Sequence, residues 1–129
     1  MTNTSSPGHA FYERQVAALQ ANDIDAIVRQ YTDDARVVGF DFQVQGSDAI
    51  RTHFTNYMAR LGFVRLVSTD KFTETPDAIF FEATVNVQGG QARVYDVFVL
   101  RDGRATHHFT GLLGFTPESA PQNPTEVPA

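Results

Sequence analysis

The feature that most constrains this chain is a change of hydrophobic period at Gly62: from there to Phe115 apolar residues alternate at period two, as strands require. Four strands read there, Phe63 to Glu74, Ala78 to Gln88, Gln91 to Leu100 and Arg104 to Phe115. Turns at Thr75-Pro76-Asp77, Gly89-Gly90 and Asp102-Gly103 join them. Ahead of Gly62 the spacing is mostly helical. Tyr12, Val16 and Leu19 recur at i, i+4, i+7, and Ile24, Ile27, Val28 and Tyr31 do the same after a break at Ala21-Asn22-Asp23, with Asn22 or Asp23 as the cap. A first strand follows at Arg36 to Phe42, where Val38, Phe40 and Phe42 alternate with Val37, Gly39 and Asp41. Asp33-Asp34 reads as a solvated helix terminus. A third helix begins at Ser47, whose hydroxyl can cap it, buries Ile50, Phe54, Tyr57, Met58 and Leu61, and ends at Gly62. This order predicts an α+β fold with three N-terminal helices packed on one face of a curved antiparallel sheet.

A chain of 129 residues with 42% apolar content and 11 Phe can fill one core. We place the domain at residues 9–116, with a disordered N-terminus at 1–8 and a disordered Pro-rich tail at 117–129 holding four of the six prolines. The net charge of −5 comes from charges spread along the chain, which leaves no basic stripe for nucleic acid. No apolar run approaches the roughly 20 residues of a membrane span, and MTNTSSPG has no leader character, so no membrane partner and a cytoplasmic location are expected. With no Cys there is no disulfide, thiolate nucleophile or Cys-based zinc site. Neither His-x-His nor His-x-x-x-His spacing occurs, nor a Gly-rich phosphate loop or Gly-x-Ser-x-Gly motif; we expect no metal and no cofactor.

The strand at Gln91 to Leu100 is apolar on both faces: Val94, Phe98 and Leu100 on one, Tyr95, Val97 and Val99 on the other. With helices on one side, the second face needs another cover, and a homodimer through the sheet is expected.

The stretch VAALQANDIDAIVRQYTDDARVV followed by QGSDAIRTHF, with the later Asp102-Gly103-Arg104 turn leading to a His- and Phe-bearing strand, resembles the nuclear transport factor 2-like superfamily in its SnoaL-like and ketosteroid isomerase branch. The resemblance covers most of the chain. It implies a cone-shaped fold with one internal pocket, and it is a strong signal for fold and a weak one for function.

Position by position, several family groups are missing. Alignment through Asp33-Asp34-Ala35 puts Gly39 where ketosteroid isomerases carry a base on the first strand, and Asp41 is the nearest replacement. The oxyanion-hole tyrosine falls at Gln15, one turn from Tyr12, while the neutral acid of that hole, a carboxyl kept protonated by its apolar site, aligns with Asp96. Burying Asp96 beside Val94, Phe98 and Leu100 costs several kcal/mol unless it gains a proton or a partner. SnoaL-like cyclases use an aspartate on the last strand, where this chain has Thr110, but the preceding histidine is retained at His108. A strict turn at Asp102-Gly103 puts His107 on the face of Asp96; a one-residue bulge puts His108 there.

These residues lead to a SnoaL-like protein that binds an apolar, ring-containing small molecule; if it is an enzyme, the expectation is cofactor-free acid–base chemistry such as isomerisation, dehydration or cyclisation of a polyketide-, terpene- or steroid-like ligand, with His108 as proton carrier and Asp96 as its orienting partner or a neutral donor. The catalytic candidates are Asp96, His108, Asp41 and Tyr12; the ligand-binding candidates are Phe54, Tyr57, Val94, Phe98, Thr110 and Leu112. Two alternatives are a ketosteroid-isomerase-type enzyme using Asp41 as base, and a non-catalytic dimeric protein-binding module.

Overall fold

The computed structural model describes residues 6–118, so the expectations for residues 1–5 and 119–129 lie outside the described residues. Three helices and six strands follow one another as α1 (Pro7–Gln20), α2 (Ile24–Arg29), β1 (Tyr31–Val38), β2 (Gln43–Gln45), α3 (Ser47–Leu61), β3 (Val64–Thr75), β4 (Ala78–Val87), β5 (Gly90–Arg101) and β6 (Arg104–Pro117). Helix α1 starts earlier than the sequence pattern implies. Ser6 accepts a hydrogen bond from the His9 N–H, Pro7 takes the first helical position, and Gly8 is buried with its N–H donating to Glu74, so residues 6–8 belong to the domain. Asp23 caps α2 by accepting from the Ala26 N–H. Gly46, not Ser47, is the N-cap of α3, and no side chain caps it. Gly62, at φ 79°, ends that helix as the spacing predicts.

The strands form one sheet in the order β2-β1-β6-β5-β4-β3. All pairings are antiparallel except β1 with β6, which is parallel, so the sheet is mixed. Pairing β1 with the last strand needs a long crossover, and the helix and strands between them supply it. Three expected boundaries shift. Strand β1 begins at Tyr31 and carries Asp33 and Asp34, exposed, where four residues (32–35) stand opposite Thr106 alone and bulge away from β6. It ends at Val38, because the chain reverses through residues 39–42 with the Gly39 N–H donating to the Phe42 carbonyl. The β4–β5 hairpin turns at Gln88-Gly89, with Val87 paired to Gly90, since Gly89 has the φ of 90° that the turn demands. At Asp102-Gly103 both residues have positive φ and Arg101 pairs with Arg104, the two-residue turn expected.

Helix α1 packs against β3 and β4, α3 against β1 and β2, and α2 against α3 and β1. All three therefore cover the same face, and bulges in β3 and β6 bend the sheet around them. Phe11, Ile27, Tyr31, Val37, Ile50, Ile79 and Phe98 fill the layer between and are the most deeply buried large side chains. No described helix is long and apolar enough to cross a membrane.

Candidate functional site

Between the helices and the concave sheet face lies a cavity of about 730 Å3, within the range of sites that enclose small molecules. Alternation along the strands supplies its floor: Phe81, Ala83 and Val85 from β4, Val94, Asp96 and Phe98 from β5, His108 and Thr110 from β6. Tyr12, Gln15, Val16 and Leu19 of α1 form one wall, and His53, Phe54, Tyr57 and Arg60 of α3 the other. Spacings of three and four residues put each of these sets on one helix face.

The question left open between His107 and His108 is answered by one residue. Val99 pairs with His107 but Leu100 pairs with Ala105, so Thr106 is an extra residue in β6 and the strand changes face. His108 thus points into the cavity opposite Phe98, whose ring stacks on the imidazole at 3.8 Å. His107 lies on the other face, its Nδ1 3.1 Å from the Thr106 hydroxyl.

His108 is bonded at both ring nitrogens: Nε2 lies 2.6 Å from Asp96 Oδ1, and Nδ1 lies 2.8 Å from the Tyr31 hydroxyl. All three residues are buried. Burial, reinforced by the Asp96 charge, holds the Tyr31 phenol well above its usual pKa, so it stays protonated and can donate. The direction of donation is fixed from the surface. Gln30 accepts from Arg14 Nε at 3.0 Å and donates through Nε2 to the Phe11 carbonyl at 3.0 Å, which determines how its amide is turned. The same Nε2 lies 3.4 Å from Gln15 Oε1, and Gln15 Nε2 lies 3.5 Å from the Tyr31 oxygen. Those two links are long, but both run the same way. The Tyr31 oxygen thus accepts from Gln15, and with His108 Nδ1 the one acceptor in reach of its proton among the described residues, Tyr31 donates there and the imidazole donates from Nε2–H to Asp96. A guanidinium has no acceptor, so the first link can run only from Arg14 to Gln30.

The other expected residues are placed as follows. Tyr12 lines the cavity, and its hydroxyl is 2.5 Å from Thr69 Oγ1. Phe54, Tyr57, Val94, Phe98 and Thr110 all line it too. Asp41 does not: it is exposed in the turn after β1. Leu112, on the part of β6 where Leu113 and Phe115 are also exposed, is 63% exposed and lies outside the cavity because β6 there runs past the helix layer. Gly39 shows why the first strand offers no base. A Cβ at that position would overlap the ring of Phe42, which folds back to close the cavity beside it.

Three residues that sequence reasoning does not assign to the site are Tyr31, Gln30 and Arg60. Tyr31 is visible in the sequence only as an apolar position at helical spacing, Gln30 as a polar helix end, and Arg60 as a charge in the last turn of α3. Tyr57 is pushed up to about 12 by burial first and the Asp96 carboxylate second, with Arg60 opposing. His53 is lowered, chiefly by burial and then by His108 and Arg60. Among the described residues, no three His, Asp or Glu side chains converge as a metal site would require.

The fold recurs widely among solved structures. A nuclear transport factor 2-like protein from Anabaena variabilis is 16% identical, covers 88% of this chain and 95% of its own, and superposes with a TM-score of 0.73. TerC, crystallised with polyporic acid, is 20% identical over 83% of this chain and 92% of its own, at 0.72. A Sinorhizobium meliloti protein provisionally assigned as a polyketide cyclase is 20% identical over 79% and 94%, at 0.70. No curated protein matches. The model of the SnoaL-like domain matches residues 12–108, three quarters of the sequence and every cavity residue except Thr110. This chain belongs to the family of SnoaL-like domains.

Proposed function

We propose that this protein binds an apolar, ring-containing small molecule in its cavity and moves a proton on it without a cofactor, Asp96 being the base. One observation carries the reading: a buried carboxylate reaches a largely apolar cavity with one oxygen bound to His108 and, among the described residues, no donor on the other. The free oxygen is available to a ligand. His108, closed at both nitrogens, orients and stabilises the carboxylate, which reverses the roles the sequence implies for the pair. In the proposed step the Asp96 carboxylate takes a proton from a carbon beside a carbonyl. The C–H electron pair moves into an enolate, and the proton returns at another carbon in isomerisation, joins the departing hydroxide as water in dehydration, or goes to the new alkoxide in aldol cyclisation. Among the described residues the Tyr57 hydroxyl, raised to about 12 and hence protonated, has no protein partner and can donate to the developing oxyanion.

The apolar walls support a ring system, and polyporic acid in TerC supports it from the side of a structural relative. Isomerisation of unsaturated ketones, dehydration of β-hydroxy ketones and aldol cyclisation of polyketide-, terpene- or steroid-like carbonyl compounds can each begin with such a proton transfer. Asp41 has no part in this mechanism, being exposed and outside the cavity. A homodimer in the cytoplasm completes the proposal. Its support is the row Phe80, Val97 and Phe109 across β4, β5 and β6 on the sheet face without helices, with Phe80 and Phe109 exposed.

Cyclic β,γ-unsaturated ketones test the chemistry. The wild type should isomerise at least one faster than buffer does, and Asp96→Asn should lower kcat by about 100-fold or more while still binding the conjugated product. No rate and no binding across bicyclic, tricyclic and steroid ketones would overturn the proposal.

A further inference from the structure

The cavity has 24 lining residues, and only two of them carry a full charge. Asp96 is at the floor. Arg60 is the other, exposed on α3, and among the described residues it has neither an ion pair nor a hydrogen bond. Its guanidinium carbon lies 5.6 Å from the centre of the Tyr57 ring. That ring is the end of a parallel series: Tyr57 stacks with His53 at 5.9 Å and 18°, and His53 with Phe42 at 4.7 Å and 18°. Phe42 and the wall of α3 thus form a column of stacked rings, capped by one cation that has no anionic partner among the described residues, with Asn56 one turn before it, also lining the cavity.

Resting on the reading of the cavity as a ring-binding site, we propose that its ligand is a ring-containing carboxylic acid and that Arg60 is the residue that selects it. The ligand rings lie against the edges of the Phe42, His53 and Tyr57 column, the carboxylate meets the guanidinium and the Asn56 amide, and the carbon to be deprotonated points away toward Asp96. One charge of each sign in the cavity lining matches a ligand that is anionic at one end only. A second negative group at the floor would stand beside the Asp96 carboxylate and be repelled. Outside Arg60 the protein opposes such a ligand, since its net charge is −5. The preference must therefore come from this one cation. The plain structural role of Arg60 is a positive charge at the C-terminal turn of α3, which any cation could fill.

Fluorescence titration with anthracenecarboxylate and its uncharged primary amide separates the two roles, with a naphthalene pair and a steroid acid pair as further probes. In the wild type the acid should bind about two- to fivefold tighter than the amide, the yield of one exposed ion pair, and added salt should narrow the gap. Arg60→Gln should weaken the acid alone and bring the ratio near one; Arg60→Glu should invert it. Equal binding of acid and amide to the wild type overturns the assignment and leaves the ring-binding cavity intact, as does an Arg60→Gln variant that keeps the preference. Failure of every acid and every amide to bind overturns both.

Discussion

Removing one oxygen atom from Tyr31 should cost far more than its size suggests. In Tyr31→Phe the ring still fills its place, where it is 1% exposed, so packing is unchanged. What disappears is the 2.8 Å bond to His108 Nδ1 and the weaker contact with Gln15. A net hydrogen bond contributes about 1 kcal/mol, and a buried imidazole acceptor left without a donor adds about 1–2 kcal/mol, so the variant should lose about 2–3 kcal/mol. Tyr12→Phe is the internal control. Its hydroxyl bonds Thr69, which is exposed, so water can replace the lost partner and the cost should stay below about 1 kcal/mol. Urea unfolding at one protein concentration reads both as midpoint shifts at constant slope. Nitrogen chemical shifts of His108 give a second readout: Nε2 protonated and Nδ1 bare in the wild type, a mixture of tautomers in Tyr31→Phe. Equal losses in the two variants, or an unchanged His108 tautomer, would refute the reasoning that Tyr31 holds the imidazole.

The raised Tyr57 pKa predicts an alkaline limb of the stability curve. The fold favours the neutral phenol, so this contribution is whole below the ordinary tyrosine value near 10 and is lost as pH rises through about 12; Tyr31 acts in the same direction. The part due to Tyr57 is at most about 2–3 kcal/mol, visible as a urea midpoint that falls over this interval while tyrosinate absorbance lags behind that of the unfolded chain. For the sheet face, light scattering should give twice the 14.3 kDa chain mass, and Phe109→Asp should give a monomer; a monomeric wild type would remove the dimer.

Much of the fold was legible because periodicity and turn chemistry agree after Gly62. Strands β3 to β6 fall within two residues of their expected ends, and the turn at Asp102-Gly103 is as read. The misreadings have local causes. Tyr31 fits the helical spacing of Ile24, Ile27 and Val28, yet starts β1, since a partner strand supplies the hydrogen bonds that α2 leaves off at Gln30. The parallel pairing of β1 with β6 joins residues some 70 positions apart, which no local pattern encodes. At the site, Asp96 stood out because a carboxylate among apolar neighbours breaks the pattern of its strand. Which histidine meets it depended on Thr106, an ordinary strand residue whose extra place in β6 is set by pairing alone. Arg60 gave no signal, because a cation at a helix end is what any helix prefers.

The direction of the hydrogen-bond chain also bears on which step comes first. The resemblance implies that Asp96 is a protonated acid, the donor of an oxyanion hole. To donate, Asp96 would need its proton directed at the ligand while Oδ1 still accepts from His108, and an uncharged carboxyl would waste the donors aligned behind it from Arg14 to Nε2–H. An anion uses them all: each bond in the series is polarised toward Asp96, which offsets part of the cost of burying its charge. On the proposed function, the base position vacant at Gly39, where the Phe42 ring lies, and the use of Asp96 as base are two sides of one arrangement. Under the proposed function the base stands on β5 instead of β1, and the reaction opens by taking a proton from the ligand.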